Sequence, residues 1–360
     1  MQTIPLVDVG AEYKPLISRL EAAFREVLEQ GDFIRGANYW AFQEEAAAYL
    51  GVKHAIGVAN GTDALVLALD ALGVGPGDEV ICPAFTFYAT AESVVRRGAT
   101  PVFADIDPVT LNLDLEDAAA KVTPRTRAII PVHLFGRMLD VRPLVDLGVA
   151  VLEDAAQAFG APGVAQQGAI STFSFYPTKN LFCLGDGGLV TANDDELAER
   201  VKLLSFHGSR DKTAFDLVGY NSRLDELQAA FLRVFLSELA GWNEARRAAA
   251  ARYAELGLDE LVEIPQDDPG HVYHLFVCRS RERDAIRTAL SEAGIGSATY
   301  YTTPLHLQPS LRYLGYEAGS LPATEQAGTE NFSLPLWPGI PVEAQERVVD
   351  VVRSAVPSRV

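Results

Sequence analysis

The 360-residue sequence contains few cysteines, few basic residues relative to acidic ones, and no long apolar run. Its cysteines, Cys82, Cys183 and Cys278, are odd in number, far apart and in no CxxC pair. This spacing argues against a disulfide framework and a cysteine zinc site, and no metal site is expected. It is typical of a reducing compartment, so we expect a cytoplasmic protein.

Basic residues number 30 against 48 acidic ones, which gives a formal net charge of −18 at pH 7. Binding to nucleic acid or to an anionic membrane surface depends on Lys and Arg, so this balance argues against both kinds of partner. No apolar run reaches the ~18 residues needed to cross a bilayer. The first residues also lack the basic and apolar regions of a secretion signal. A small anionic ligand is still compatible with the charge, because a local pocket can oppose the global field.

The sequence does contain a regular alternation of short apolar runs and helical patterns between about residues 50 and 200. We predict strands at 54–59, 78–85, 100–106, 127–136, 149–157, 169–177 and 187–193. Their nearly continuous apolar character is typical of strands buried on both faces of a parallel sheet. The last two could extend that sheet as a hairpin-like edge. The predicted fold class is therefore α/β, with a mostly parallel central sheet flanked by helices.

A change of pattern near residue 240 indicates a second domain. Apolar residues at a helical period run from Leu224 to about Leu256. Beyond them, a strand-like segment (271–280) and helix-like segments (283–295 and 341–356) suggest a smaller α+β unit. We predict a large domain over residues 1–240 and a small C-terminal domain over residues 241–360.

Two segments could bind a planar group that carries a phosphate. In VANGTDAL (58–65), a strand and a glycine turn lead into a helix, whose N-terminus offers free N–H groups to an anion. Gly61 would allow close approach of the backbone and Thr62 adds a hydroxyl, although an ordinary capped helix also explains the pattern. In PAFTFYATAES (83–93), Phe87 is one of three aromatic residues that either stack on a ligand or pack in the core.

Two further segments carry ionisable groups. In LEDAAQAFGA (152–161), Asp154 ends the apolar strand, at the edge where α/β sheets bind ligands. A buried carboxylate there needs a cationic partner. Alternatively, Asp154 caps a helix that follows the strand. Lys179 lies among apolar residues in FSFYPTKNLFCLGDGG (173–188). Desolvation lowers the pKa of a lysine and makes it nucleophilic, whereas a surface lysine would only rest its stem on the aromatic rings. An anion cup, an aromatic platform, a carboxylate and a nucleophilic lysine together suit pyridoxal 5'-phosphate (PLP).

At these residues the sequence resembles the DegT/DnrJ/StrS family of PLP-dependent sugar aminotransferases, which have the fold-type I architecture. The resemblance covers nearly the whole chain and is most specific in ANGTDAL, EDAAQAFGA, SFYPTKNL…GDGG, GYNSRLDELQAA and TPLHLQPSLRYLGY. It implies that Lys179 forms a Schiff base with PLP and then transfers protons, and that Asp154 pairs with the ring nitrogen.

The resemblance also implies roles for other residues. Gln157 would contact the 3'-oxygen of the cofactor and Phe87 would stack on its ring. The phosphate would be bound by Gly61, Thr62 and Ser174, and by Asn221 from the neighbouring subunit of a homodimer with active sites at the interface. The residues expected to contact the sugar are Tyr176, Tyr300, Tyr301 and His306.

The implied reaction transfers an amino group from L-glutamate to a nucleotide-linked keto-sugar, in amino-sugar and polysaccharide biosynthesis. A 3-keto-hexose on dTDP or UDP is favoured. The alternatives are a PLP aminotransferase of a non-nucleotide ring such as an aminocyclitol, and a non-enzymatic regulator that keeps the fold. Two departures from the family pattern bear on the substrate: Tyr300 stands where a histidine is common, and the bulky segment 182–184 would narrow the pocket.

Overall fold

The central sheet has seven strands in the order β1-β7-β6-β5-β4-β2-β3. The computed structural model describes residues 3–356 of the chain. The strands are β1 (His54–Val58), β2 (Glu79–Pro83), β3 (Thr100–Ala104), β4 (Thr126–Ile129), β5 (Ala150–Asp154), β6 (Ile170–Ser174) and β7 (Gly188–Ala192). The pairs from β6 to β3 are all parallel, and β7 is antiparallel to both β6 and β1. The predicted α/β class with a mostly parallel sheet is confirmed.

One detail of the sheet differs from the prediction. Strands β6 and β7 do pair antiparallel, but β7 is not an edge strand, because β1 pairs with its other side from His54↔Ala192 to Val58↔Gly188. All five residues of β7 are buried as a result. The chain therefore inserts β7 between β1 and β6, and this places the glycine-rich turn before β7 next to the start of the helix that follows β1.

Thirteen α-helices surround this sheet and a second, smaller one. They are α1 (Val9–Tyr13), α2 (Ile17–Gln30), α3 (Ala37–Leu50), α4 (Gly61–Ala71), α5 (Ala89–Arg96), α6 (Leu115–Ala120), α7 (Arg142–Val145), α8 (Asp195–Ser205), α9 (Glu226–Leu236), α10 (Leu239–Glu255), α11 (Arg283–Glu292), α12 (Pro322–Glu330) and α13 (Val342–Ala355) within residues 3–356. The small sheet pairs β8 (Phe276–Arg279) with β9 (Asn331–Leu334) in antiparallel register. Among these elements, no helix has the length and apolar character needed to cross a membrane.

The predicted continuous helical region from Leu224 to Leu256 is two helices, α9 and α10. The break lies at Ser237, whose hydroxyl turns back to donate to the Val234 carbonyl at 2.8 Å. A serine side chain that hydrogen-bonds to the backbone competes with helix continuation. Helix α10 then contributes Leu239 to the apolar cluster of the large sheet and Tyr253 to the cluster that contains β8 and β9. The boundary at residues 240/241 stays a prediction.

The N-terminus of α3 is capped from a distance. The buried carboxylate of Glu226, the first residue of α9, accepts the N–H groups of Asn38 at 2.6 Å and Tyr39 at 2.9 Å. These are among the first N–H groups of a helix, which have no intrahelical partner. Glu226 thus ties the end of the polar stretch 207–225 to the body of the large domain.

Candidate active site

A cavity of about 940 Å³ lies where the carboxyl ends of β5 and β6 meet the start of α4. The side chains that line it come from segments far apart in the sequence. Ten of the predicted site residues are among them: Gly61, Thr62, Phe87, Asp154, Gln157, Ser174, Tyr176, Lys179, Tyr300 and Tyr301. Ligands bind at this edge of open α/β sheets, as expected for Asp154.

One end of the cavity suits a phosphate. The Asn60 side chain caps α4 by accepting the N–H of Asp63 at 2.8 Å, so the N–H groups of Gly61 and Thr62, at the start of the helix, are left for an anion. A Cβ on Gly61 would lie 2.6 Å from the Cβ of Ser174, which also lines the cavity. Glycine is therefore required here because the helix start packs directly on the end of β6. The capped helix start is confirmed, and the anion site at the same place stays a prediction.

Asp154 lies on the floor of the cavity as a buried carboxylate. Its Oδ2 accepts the Thr90 hydroxyl at 3.0 Å, and its Oδ1 accepts the N–H of Ala156 at 3.2 Å. Burial raises the pKa of Asp154, while these hydrogen bonds and the amine of Lys179 act in the opposite direction. The alternative that Asp154 caps a helix is wrong, because the following segment is a series of turns.

Lys179 faces Asp154 within the cavity. A turn closed by the Lys179 N–H and the Tyr176 carbonyl at 2.8 Å presents the side chain inward. Burial lowers the pKa of Lys179 to about 8, and the opposing influence of the Asp154 carboxylate is smaller. No hydrogen bond or ion pair within residues 3–356 uses its amine. The amine is therefore close to the protonation equilibrium that a nucleophilic lysine needs near neutral pH. The alternative that Lys179 is a surface lysine, with only its stem packed on the aromatic rings, is therefore wrong.

The aromatic and amide groups form one wall. Phe87 lines the cavity and is 57 % exposed, whereas its neighbour Phe85 is 1 % exposed and belongs to the core. Gln157 accepts the Phe135 N–H at 2.7 Å through Oε1 and donates to the Tyr301 hydroxyl at 3.3 Å through Nε2. Of the three aromatic residues in 83–93, Phe87 alone lines the cavity, and so it is the one that can stack on a ligand.

Two sequence expectations are not met in this cavity, and a third is not tested by it. His306 does not line it: its side chain is fully buried, and Nε2 lies 3.1 Å from the Glu325 carboxylate. The bulky segment 182–184 does not narrow it either, because Phe182 stacks on Phe235 with ring centroids 4.6 Å apart in the core. Asn221 is exposed outside the cavity of its own chain, so its role toward a neighbouring subunit stays a prediction.

Sequence reasoning missed several residues of the site. Asn60 could have been found, because Asn is a preferred cap where a strand turns into a helix. Thr86, Thr90 and His274 also line the cavity. No local pattern marks them, since Thr90 lies inside α5 and His274 precedes β8 of the small sheet.

The residues present fit PLP. The chain offers a free lysine amine, a buried carboxylate opposite it, an exposed aromatic ring, and a helix start packed too tightly to admit a Cβ. This combination, at the carboxyl edge of a mostly parallel sheet with a small α+β unit beside it, is the one that a lysine-dependent PLP transferase requires.

Comparison with known proteins identifies the family. The sequence model of the DegT/DnrJ/EryC1/StrS aminotransferase family matches residues 16–353, and the chain belongs to this family. It is 45% identical to the "Pleiotropic regulatory protein" of Geobacillus stearothermophilus, over 97% of both chains. It is 44% identical to the UDP-N-acetyl-3-dehydro-α-D-glucosamine 3-aminotransferase of Acidithiobacillus ferrooxidans, again over 97% of both chains. The crystal structure of DesV from S. venezuelae superimposes with a TM-score of 0.95 at 42% identity, covering 98% of each chain.

Proposed function

We propose that this aminotransferase transfers the amino group of L-glutamate to a nucleotide-linked 3-keto-sugar, with PLP as its cofactor. The observation that carries the proposal is the unpaired Lys179 amine facing the buried Asp154 carboxylate, beside a free helix start. The exchange balances without an outside oxidant. The donor carbon is oxidised from amine to ketone as L-glutamate becomes 2-oxoglutarate, and the acceptor carbon is reduced from ketone to amine.

When bound, PLP stores the amino group between the two halves of the exchange. The side chains of this chain do the rest. Lys179 would hold the cofactor through its amine and, once the incoming amino group has released that amine, would take a proton from the donor carbon and return one to the acceptor carbon. Asp154, whose Oδ2 accepts the Thr90 hydroxyl, would keep the ring nitrogen protonated. Gly61, Thr62 and Ser174 would bind the phosphate, and Phe87 would stack on the ring.

The size of the cavity supports a substrate as large as a nucleotide-linked sugar. Its volume of about 940 Å³ is near the top of the usual range for ligand pockets, roughly 300–1,000 Å³. Tyr176 is 55 % exposed at its wall, and Tyr300 and Tyr301 also line it, with the Tyr301 hydroxyl 3.3 Å from the Gln157 amide. The preference for a 3-keto acceptor follows the relative named as a 3-aminotransferase. We assign the sugar contacts to these three tyrosines and no longer to His306.

A homodimer would explain two features of the single chain, the shortage of positive charge around the cavity and a cationic patch outside it. The cavity lining carries the carboxylates of Asp63, Glu92, Asp154 and Asp186 against the cations Arg96 and Lys179, so an anionic substrate needs further positive charge. Beside the exposed Asn221, the guanidinium groups of Arg35 and Arg223 lie 4.4 and 5.6 Å from the Phe206 ring, and neither forms an ion pair within residues 3–356.

An exposed apolar surface on and after α2 would be covered in the same assembly. Its members are Ile17, Phe24, Leu28, Phe33 and Ile34, each at least 42 % exposed. We therefore place the cationic patch and Asn221 of one subunit at the cavity of the other.

The first experiment is the visible spectrum of the protein with PLP, before and after L-glutamate. We expect a yellow band that glutamate bleaches and a nucleotide-linked 3-keto-sugar restores. K179A, the matched control, should bind PLP without the covalent band. Turnover of aminocyclitol ketones in place of nucleotide sugars would favour the non-nucleotide alternative. The absence of the band would favour a regulator.

The dimer is tested by mixing two inactive variants. Subunits of K179A and N221A, exchanged under mild denaturation and refolded, should regain activity, because one site of each hybrid then combines an intact Lys179 with an intact Asn221 from the other chain. No recovery, with hybrids demonstrated by mass spectrometry, would contradict the placement of Asn221.

A further inference from the structure

We propose that Tyr220 is a positioning residue that holds Asn221 in place for the active site of the neighbouring subunit, through a hydrogen bond to Asp70 near the end of α4. The inference rests on the proposed function, which places Asn221 of one subunit at the cavity of the other. Tyr220 is not among the site residues predicted from the sequence. It lies directly before Asn221, in the polar stretch that connects α8 to α9.

The Tyr220 hydroxyl joins an ion pair between α4 and the end of α5. It donates to Oδ2 of Asp70 at 2.9 Å and accepts from the Arg97 guanidinium at 2.8 Å. The same guanidinium nitrogen lies 2.8 Å from that Asp70 oxygen, and Asp70 is 8 % exposed. Hydrogen bonds to ionised groups are stronger than those between neutral ones. The half-buried Tyr220 ring also packs on the apolar core that includes α4, so both ends of this side chain are fixed.

The residues on both sides of Asn221 are anchored to the large domain. On one side, the Tyr220 carbonyl accepts the His207 N–H at 2.8 Å. On the other side, Ser222 is 1 % exposed and its hydroxyl accepts the Ala59 N–H at 3.1 Å. Asn221 itself is exposed. An exposed side chain is thus held between two anchored neighbours, which is the arrangement needed to present it to a second subunit.

These contacts attach the Asn221 segment to both ends of α4. Ala59 lies two residues before Gly61, the first residue of the helix and part of the predicted phosphate site, and Asp70 lies in the last turn. One helix therefore carries the phosphate site of its own subunit at its start and an anchor of the Asn221 segment at its end. Loss of the Tyr220 hydroxyl removes the anchor at the far end only. Its effect should therefore appear at the partner's cofactor and not at the subunit's own.

The test places Tyr220→Phe on one chosen chain of a hybrid dimer. K179A and N221A subunits with different affinity tags are exchanged and the hybrids purified, so that the one site with an intact Lys179 receives Asn221 from the K179A chain. PLP is titrated, and the covalent absorption band, which K179A cannot form, reports the apparent Kd of that site alone. With Y220F on the K179A chain, the Kd should rise by about three- to tenfold, because a hydrogen bond to a charged group is lost. With Y220F on the N221A chain, the Kd should equal that of the hybrid without it.

Another half-buried tyrosine supplies the matched control. The Tyr316 hydroxyl accepts the Phe103 N–H at 2.9 Å, and Tyr316 does not line the cavity. Y316F should leave the Kd unchanged on either chain. An unchanged Kd with Y220F on the K179A chain overturns the proposal, as does an equal rise on both chains, which would confine Tyr220 to the stability of its own subunit.

The hybrid without Y220F checks the assumption about Asn221. If it binds PLP no more tightly than the N221A homodimer, the placement of Asn221 is overturned, and this inference with it. Absence of the covalent band in the wild type would overturn the proposed function as well.

Discussion

Replacing Thr90 with valine removes one hydroxyl from the floor of the active site and leaves the volume of the side chain nearly unchanged. Thr90 is 1 % exposed, and its hydroxyl donates to Oδ2 of Asp154 at 3.0 Å. The other hydrogen-bond donor to this carboxylate within residues 3–356 is the N–H of Ala156, at 3.2 Å from Oδ1. The substitution therefore removes the shorter of the two hydrogen bonds that stabilise the carboxylate in its ionised form.

The magnitude follows from the charge of the acceptor. A hydrogen bond to a charged group contributes about 1.5–3 kcal/mol. Burial already raises the pKa of Asp154, so loss of this bond raises the pKa further and weakens the carboxylate as a partner for a protonated ring nitrogen. If that loss falls on the transition state for proton transfer, the half-reaction with L-glutamate slows by about 10- to 100-fold.

Single-turnover bleaching of the PLP-bound enzyme by L-glutamate measures this rate. Thr191 offers a matched control, because it is 1 % exposed and its hydroxyl has no hydrogen-bond partner within residues 3–356. T191V should leave both the rate and the stability within experimental error of wild type, or raise the stability slightly. A T90V rate within twofold of wild type, with Asp154→Asn strongly impaired, would refute the view that Thr90 supports the carboxylate.

Three further predictions follow from the same contacts. Gly61→Ala should raise the Kd for PLP by at least about tenfold, measured by fluorescence titration, because the new Cβ meets the side chain of Ser174; unchanged affinity would contradict the tight helix start. Glu226→Ala should lower the free energy of unfolding by about 2–4 kcal/mol in urea, because two helix N–H groups lose their acceptor; a loss below the error of the fit would contradict it. Covalent attachment of PLP should accelerate as pH rises through about 8, since the neutral amine of Lys179 is the reactive form and accumulates above its pKa; a flat rate between pH 6 and about 10 would rule out this assignment.

The sequence predicted those site residues whose role can be inferred from their residue type and their immediate sequence neighbours. Lys179 and Asp154 each lie in an apolar context where an unpaired charge is costly, so residue type and surroundings were enough to single them out. Gly61 follows a strand and begins a helix, a local arrangement with a known affinity for anions. The resemblance to the family added the roles of Gln157 and Ser174, which have no such signal of their own.

The errors arose where position depends on distant contacts. His306 is a histidine in a family motif, yet the Glu325 carboxylate from the start of α12 holds it away from the cavity. Phe182, of the segment 182–184, packs against α9 and α10, where its ring stacks on Phe235 and Trp242. Neither partner is near in sequence, so no spacing rule could have predicted these placements.

By itself the sequence determined the alternation of buried strands and helices, the lysine and the carboxylate, because periodicity and the cost of burying charge are local properties. Only the tertiary structure decided that β7 lies inside the sheet, that Thr90 donates to Asp154, and that His274, two residues before β8, lies in the same cavity as Lys179. The physical reason is that hydrogen bonds and packing join residues that are close in space. In this chain the residues around the Lys179 amine come from segments as far apart as residues 61 and 301.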